Sequence, residues 1–496
     1  MFSTQKQVAV VSSLTASSFP SDALSENNLN LGATQITASN KTEWRLDSYT
    51  GRLNYGFRNK YLVSLTGRVD GSSRFGSGNK YGFFPSAAVA WRVIEESFMQ
   101  KQQFISDLKL RFGYGKTGNA EVPLYQSLSR LGTSSAFNYI FNNGRNIGIG
   151  PLGIPNAGLK WESTNSYNVG LDLSILNKRI NFVADVYYKK TSDLLLGRSI
   201  PSSSGFNSFF GNFGAVENKG LELGMDGVIS TKKLKWNASA NISFNKNKLL
   251  KIDGVRNEIV PADNGGGIAA FSSNSILRVG EPVGSFFGYI WDGIWQTNDN
   301  IAQSHQPSSK PGNPRYRDLN GDKKLTDADR TIIGDANPQF IYAFANNLSY
   351  KNFELNFFFQ GVQGNQVLNI LSRLAQTASG SNQILNMVDR WSVTNPSNDY
   401  PKAVVAQRMN QSNRYVEDGS YLRLKNATVA YNFIHLKAIS KLRIYLSGTN
   451  LFTVTSYSGI DPEVNTTAQG DVTNFGVDNG GYPVAKTFVF GVQIGL

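Results

Sequence analysis

The sequence contains no cysteine and almost no histidine. Among its 496 residues the only histidines are His305 and His435. Disulfides, thiolate metal sites and cysteine nucleophiles are therefore excluded. Two isolated histidines cannot supply a histidine-based metal centre or a Ser-His-Asp triad of the usual kind. No acid/base pair of a glycoside hydrolase is recognisable either, and we predict that the protein is not an enzyme.

Long hydrophobic runs are also missing. No stretch approaches the roughly 18 consecutive apolar residues of a transmembrane helix. The N-terminus, "MFSTQKQVAVVSSL", has neither the basic region nor the apolar core of a signal peptide. We expect an irregular segment over 1–44, the remnant of an extracellular loop, in a chain that is cytosolic or starts downstream of its natural beginning.

The net charge is +13, but no basic run with interleaved aromatics accompanies it. Lysine and arginine are scattered in ones and twos, so we expect no nucleic-acid partner. An anionic surface such as outer-membrane lipopolysaccharide, or simple solvation, explains this charge equally well.

Aromatic residues and alternating patterns are abundant instead. Phe, Tyr and Trp make up 12% of the chain, and apolar residues recur at every second position. In "YLVSLTGRVD" (61–70) and "TFVFGVQIGL" (487–496), the apolar residues fall on one face of an extended strand. Such a face packs inward in a soluble β-sandwich but contacts lipid in a membrane β-barrel.

Strand and loop lengths favour the barrel. The strands run to about ten residues, as a tilted bilayer span requires. Short connections at 58–60, 177–179, 231–233 and 351–352 alternate with long ones at 118–158, 196–212, 252–336, 366–414 and 453–486. The fold class is thus all-β, a transmembrane antiparallel barrel over 45–496 with about thirteen strands. An odd number of strands cannot close antiparallel, which indicates part of a barrel.

Several segments then resemble one known family. They include "DGSSRFGSGNKYGFFPSAAVAWRV" (70–93), "LKLRFGYGKTGN" (108–119) and "NFGAVENKGLEL" (212–223). These stretches are similar to the SusC/RagA family of TonB-dependent outer-membrane transporters. The resemblance implies a barrel of about 22 strands in the outer membrane of Gram-negative, Bacteroidetes-type bacteria, importing large nutrients such as oligosaccharides or peptides.

The same resemblance implies two protein partners. A SusD-like surface lipoprotein would cap the barrel, and TonB would supply energy through a plug domain. In the family the plug, the TonB box and the first barrel strands precede the region that this chain resembles. We therefore expect the plug to be absent here, and we assign energy coupling to no residue of this sequence.

One stretch, "DLNGDKKLTDAD" (318–329), has the rhythm of a calcium loop. Its oxygen-bearing residues fall at positions 1, 3, 5, 9 and 12, and position 7 would offer a backbone carbonyl. Lys323 occupies position 6, where calcium loops place glycine. The alternatives are a structural Ca²⁺ site in an extracellular loop and a cluster of Asx turns without an ion. The predicted ligands are Asp318, Asn320, Asp322, Lys324, Thr326 and Asp329.

An aromatic cluster opens the longest predicted loop. Tyr289, Trp291 and Trp295 lie in "FFGYIWDGIWQ" (286–296). Their rings suit either stacking on sugars of the substrate or packing that folds the loop. If the alternating strands formed a soluble protein, the alternative function would be a calcium-stabilised, β-rich module that binds glycans.

Overall fold

The fold is a single large antiparallel sheet with elaborate loops at one end. The computed structural model describes residues 1–21, 23, 27–133, 137–206, 208–253, 256–260, 274–376, 382–404, 409–433, 440–464 and 474–495. Each strand pairs with the next strand along the chain, giving a fourteen-stranded meander. Its strands are β1 (Phe2–Ser17), β2 (Thr34–Phe57), β3 (Tyr61–Ser72), β4 (Tyr81–Arg92), β5 (Ile105–Asn119), β6 (Glu162–Ile175), β7 (Ile180–Ser199), β8 (Ser208–Thr231), β9 (Leu234–Lys251), β10 (Phe340–Tyr350), β11 (Phe353–Gln363), β12 (Tyr421–Phe433), β13 (Lys441–Thr455) and β14 (Thr487–Gly495).

Shorter elements lie in the connections. The one α-helix of the described residues is α1 (Ile370–Ala375), and no helix among them is long and apolar enough to cross a membrane. The short strands are Leu131–Thr133, Tyr139–Phe141, Gly144–Asn146, Ile149–Pro151, Glu258–Ile259, Ser275–Arg278, Ser285–Gly288, Trp291–Ile294, Pro314–Tyr316, Thr331–Asp335, Gln366–Asn369, Val416–Asp418 and Val477–Asp478. Single 3₁₀ turns occupy Leu29–Leu31, Val93–Glu95, Ser97–Met99, Ser202–Ser204, Ile301–Gln303, Asp327–Asp329, Leu385–Asp389 and Asn413–Tyr415.

The N-terminal segment departs from the prediction of irregular structure over 1–44. Residues of β1 pair with Thr34–Tyr49 of β2, and this hairpin raises the strand count from thirteen to fourteen. The pairing of β2 with β3 begins only at Leu46 and Ser72. Most of the hairpin therefore projects beyond β3 with both faces exposed, and it lacks the one-sided apolar alternation that identified the other strands.

The number of strands bears on how the sheet could close. With fourteen strands, β1 and β14 run antiparallel, so strand direction alone would not prevent them from pairing. Within the described residues, however, β1 pairs only with β2 and β14 only with β13. The sheet is open at both edges.

The connections differ sharply between the two ends of the sheet. At the short-turn end, β2 joins β3 through Arg58 and Asn59, whose φ angles of 52° and 55° form the tight left-handed turn typical of hairpins. At the opposite end, called here the loop end, the connections include 120–161, 252–339, 364–420 and 456–486. The longest connection at the short-turn end, 93–104, is much shorter than any of these four, and this asymmetry is typical of outer-membrane barrels.

The two faces of the sheet differ in chemistry. One row of cross-strand partners, which crosses seven neighbouring strands from β3 to β9, is entirely apolar: Val63, Val89, Phe112, Val169, Val186, Leu221 and Phe244. Val169 is 49% exposed and Phe112 is 50% exposed, so no layer of the described residues covers this apolar face. The opposite, polar face carries Arg111, Asp172 and Asp185. In a transmembrane barrel the apolar face contacts lipid and the polar face lines the lumen.

Three loop-end connections fold around a shared core. Residues from 252–339, 364–420 and 456–486 form this unit, called here the loop assembly. Because these segments are far apart in sequence, burial of their apolar side chains is what holds them together. The core residues are Phe286, Ile333, Ala336, Leu368, Ile370, Met409, Tyr415 and Val477.

We predict that the two faces of β6 respond differently to charge. Val169→Arg places a cation in lipid and should destabilise the folded barrel by about 2–4 kcal/mol. Asn168→Arg, one residue away on the polar face, should cost far less. Urea unfolding in phosphatidylcholine vesicles measures both variants, and equal destabilisation would contradict the assignment of the faces.

Candidate functional site

The polar face of β5 to β7 is held by a charged network. Arg111 on β5 donates hydrogen bonds to Asp172 on β6 (3.0 Å) and to Asp185 on β7 (2.9 Å). Lys109 adds a 2.6 Å ion pair to Asp172. The network links three neighbouring strands. Because its side chains are partly exposed, it also presents charges of both signs on the polar face of the sheet.

A second charged cluster attaches one loop to the strands of the sheet. Arg423 on β12 is almost fully buried and pairs with Asp461 and with Glu463 (2.8 Å), while its Nε donates to Thr453 on β13. Burial would raise the pKa of Asp461, but hydrogen bonds from the Glu463 backbone and from Arg423 outweigh it, so this pKa is lowered. The start of the 456–486 loop is thus attached to the barrel strands by a buried guanidinium.

The predicted calcium loop folds as a tight set of side-chain-to-backbone hydrogen bonds. Asp318 accepts from the backbone N–H groups of Gly321 (2.7 Å) and Lys323 (2.9 Å). Asn320 accepts from Asp322 N, and Asp322 accepts from Lys324 N (2.8 Å). This is the pattern of successive Asx turns, and it occupies oxygens that calcium would also use.

Asp329 closes the loop from a fully buried position. Its two carboxylate oxygens accept from Leu319 N (2.9 Å) and Thr326 N (2.8 Å). Thr326 accepts in turn from Ala328 N, which completes a capping box on the turn Asp327–Asp329. Burial by itself would raise the pKa of Asp329, but these backbone hydrogen bonds prevail and lower it.

The fit of the loop to a calcium ion is incomplete. Lys323 adopts φ +64°, the left-handed conformation that glycine accepts at lower cost, and Gly321 adopts φ +74°. Among the described residues, no three Asp, Glu, His or Cys side chains are arranged to hold a metal ion. The backbone hydrogen bonds account for the loop geometry without an ion, and calcium binding stays a prediction.

The aromatic cluster lies against the loop assembly. Tyr289 donates to Asp327 (3.1 Å), and burial together with Asp327 raises the pKa of Tyr289 to about 12. Trp291 packs on the core, with the Arg414 guanidinium 4.7 Å above its ring. Trp295 is only 5% exposed and packs against His305. Its ring is therefore closed to a sugar in this arrangement, whereas Tyr289 and Trp291 are partly exposed.

Several residues that hold the loop assembly together belong to no recognisable sequence motif. Gln411 is buried and donates to the backbone oxygens of Asn274 (3.1 Å) and Phe287 (2.8 Å), more than a hundred residues away. Arg414 and Tyr415 follow it closely and enter the same assembly. No local motif identifies these residues, because their partners are brought together only by the fold. His435, the second histidine, lies outside the described residues.

Comparison with known proteins gives the family. Residues 12–451 match the family model for the TonB dependent receptor-like β-barrel. The chain belongs to the TonB-dependent receptor β-barrel family. This family, together with the similarity to SusC and RagAB, confirms the expected all-β membrane-barrel fold, the SusC/RagA resemblance and the outer-membrane location. The family is one of receptors and transporters rather than of enzymes.

The sequences of two relatives align with nearly the whole length of this receptor chain. TonB-dependent receptor P3 of Formosa agariphila is 38% identical over 491 residues, covering 97% of this chain and 48% of the relative. TonB-dependent receptor SusC of Bacteroides thetaiotaomicron is 31% identical, covering 90% of this chain and 43% of the relative. The receptor chain spans about half the length of these curated relatives.

A solved structure supports the same family and fold. The RagAB peptide transporter superimposes with a TM-score of 0.81 and 26% sequence identity, covering 99% of this chain and 52% of that one. The outer-membrane receptor fold therefore extends across the described strands and their loops.

We predict that Asp329 stabilises the 297–336 region of the receptor loop. Asp329→Ala leaves two backbone N–H groups without their acceptor, at a cost of about 1–3 kcal/mol each where they are buried. Limited proteolysis should cleave the variant faster. Because the folded pKa of Asp329 is lowered, the stabilisation is present at neutral pH and is lost as the pH falls below about 3.9 and through the folded pKa. Unchanged cleavage across this range would contradict the role of Asp329.

We predict weak calcium binding by the same loop, with Asp318 as a ligand. Calorimetric titration of the receptor should give a heat of binding at calcium concentrations of about 0.1–1 mM. Asp318→Ala should abolish this heat, and Asp399→Ala, which changes a carboxylate elsewhere in the loop assembly, should leave it unchanged. If the unsubstituted receptor gives no calcium heat, the Asx-turn alternative holds.

Proposed function

We propose that this chain forms part of a TonB-dependent transporter that imports large nutrients, either oligosaccharides or peptides. The open fourteen-stranded sheet carries this proposal. In lipid, the unpaired edges of β1 and β14 would be costly. Because the curated relatives are about twice as long as this chain, we infer that further strands close the barrel. Barrels of 16 or more strands enclose an aqueous or plugged lumen wide enough for large solutes.

The chemistry of the wall suits a hydrophilic cargo. The polar face presents Arg111, Asp172 and Asp185 toward the lumen, so a substrate passing along it meets charged and hydrogen-bonding groups of both signs. At the loop end, the partly exposed rings of Tyr289 and Trp291 offer surfaces for stacking. Both oligosaccharides and peptides can use such contacts.

Two partners follow from the same proposal. A SusD-like surface lipoprotein would cover the loop assembly, and TonB would act through a plug domain. The support comes from relatives: TonB-dependent receptor SusC is 31% identical, and the similar solved structure is that of the RagAB peptide transporter. Because the loop assembly is folded around its own core, it offers this lipoprotein a defined surface on which to dock.

The alternative, a soluble calcium-stabilised glycan-binding module, conflicts with the exposed apolar face. A soluble protein seldom exposes a continuous apolar surface that crosses many strands. Here the row from Val63 to Phe244 crosses seven strands without a covering layer in the described residues. A requirement for detergent or lipid in solution distinguishes the two functions.

Growth of the native host tests the proposed import. Deletion of the gene should abolish growth on either an oligosaccharide mixture or a peptide mixture, because cargo of this size needs a dedicated transporter. Growth on a monosaccharide should be unchanged, and the intact gene should restore the lost phenotype. Equal growth on all media would contradict the proposal.

The proposed lipoprotein partner is tested by a separate measurement. A tagged receptor purified from outer membranes in mild detergent should carry a surface lipoprotein at about one copy per receptor. If import is lost on deletion but no lipoprotein co-purifies, the transport function stands and the lid proposal fails.

A further inference from the structure

A row of tyrosines runs along the apolar face, one step closer to the loop end than the apolar row. Tyr114, Tyr167 and Tyr188 are directly paired across β5, β6 and β7. Their ring centroids are 5.2 and 6.4 Å apart. In the same row, β8 and β9 place Lys219 opposite Lys246.

The next row toward the loop end is mostly basic. Its cross-strand partners are Lys116, Asn165, Lys190, Glu217 and Lys248, on β5 to β9 in order. Within these stretches the pairing has no register shift, so all five side chains share the apolar face. Together with the two lysines of the tyrosine row they form the lysine patch, defined as Lys116, Lys190, Lys219, Lys246 and Lys248.

The height of the patch coincides with the outer edge of the membrane. β7 starts at Ile180 beside the short-turn end, so Tyr188 is its ninth residue and Lys190 its eleventh. A tilted strand crosses the hydrocarbon in about 9–11 residues. Tyrosine belts mark the membrane interface, and the lysines beyond this belt lie at the level of the outer-leaflet headgroups.

The charges of the patch are not balanced by the protein. Five lysines stand against one carboxylate, and Lys219 directly faces Lys246, a like-charge pair that destabilises a sheet. Among the described residues none of these lysines forms an ion pair. Glu217 accepts a hydrogen bond from Tyr188 (3.2 Å). Four of the five lysines are exposed, so their ammonium groups can reach an external anion.

A cavity beside the patch favours a lipid over a free anion. The backbone pairing of β9 with β10 stops at Ser243 and Ile341. Beyond this point the two segments contact each other through side chains, such as Asn247, which donates to Asn337 (2.6 Å). The cavity has a volume of about 910 Å³. The cavity is lined by apolar, basic, acidic and other polar residues, among them Val186, Phe244, Phe340, Lys219, Lys246, Asp335, Tyr187 and Asn245.

We propose that the lysine patch binds the phosphate groups of an outer-leaflet lipid of the lipopolysaccharide type, with an acyl chain entering the cavity beside Phe244. Basic clusters next to an aromatic belt bind anionic headgroups in this manner. The site lies on the outside of the wall and is independent of cargo. Its failure would leave the proposed import function intact.

Binding of diphosphoryl lipid A by the purified receptor in neutral detergent tests the site. Native mass spectrometry should show at least about tenfold weaker retention in the triple variant Lys190→Gln/Lys219→Gln/Lys246→Gln, because each surface lysine contributes about fivefold. The matched control, Lys232→Gln/Lys233→Gln/Lys351→Gln, removes the same charge at the short-turn end and should retain the lipid fully. Heat-modifiable gel mobility verifies that both variants are folded.

A variant that is expected to bind more lipid provides a second test, because misfolding would not increase lipid binding. Glu217→Gln removes the only carboxylate of these two rows and should strengthen retention several-fold. Dephosphorylated lipid A should bind weakly to every form. Equal retention of both lipids, equal loss in the matched control, or full displacement by millimolar inorganic phosphate would each overturn the assignment.

Discussion

The rest of the structure depends on one constraint: in lipid, every backbone N–H and C=O must find a hydrogen-bond partner within the protein. The meander from β1 to β14 meets it by pairing each strand with its neighbours along an almost unbroken antiparallel ladder. Among the described strands, only the outer edges of β1 and β14 lack a partner along their whole length. Closure by further strands removes these two edges, and this agrees with a chain that matches about half of its curated relatives.

Once the ladder is fixed, the period of two decides which side chains meet lipid, and this is why much of the fold could be predicted. The alternation predicts β2 to β14 because each of those strands has one face without water. It fails for β1 and for the first part of β2, where the hairpin stands clear of β3 and both faces are exposed. A pattern that arises from one-sided burial cannot identify a strand that has no buried side.

The functional region is less accessible to sequence reasoning, for a related reason. The spacing in "DLNGDKKLTDAD" draws attention to a stretch that orders itself locally, since Asp318, Asn320 and Asp322 accept hydrogen bonds from N–H groups within five residues. The loop assembly has no such local rule. Gln411 bonds to the backbone of Asn274 and Phe287, and Arg414 covers Trp291, so these roles exist only after distant segments have folded together.

The absence of cysteine makes the central claim, that β6 separates lipid from an aqueous lumen, directly measurable. Single cysteines introduced at successive positions from 168 to 174 of β6, below the tyrosine row, can each carry a nitroxide label at a unique site. In liposomes, the account predicts that odd positions such as Val169 are accessible to oxygen dissolved in lipid, and that even positions such as Asn168 are accessible to a water-soluble nickel chelate. Accessibility to the nickel chelate at both odd and even positions, without alternation, would contradict it.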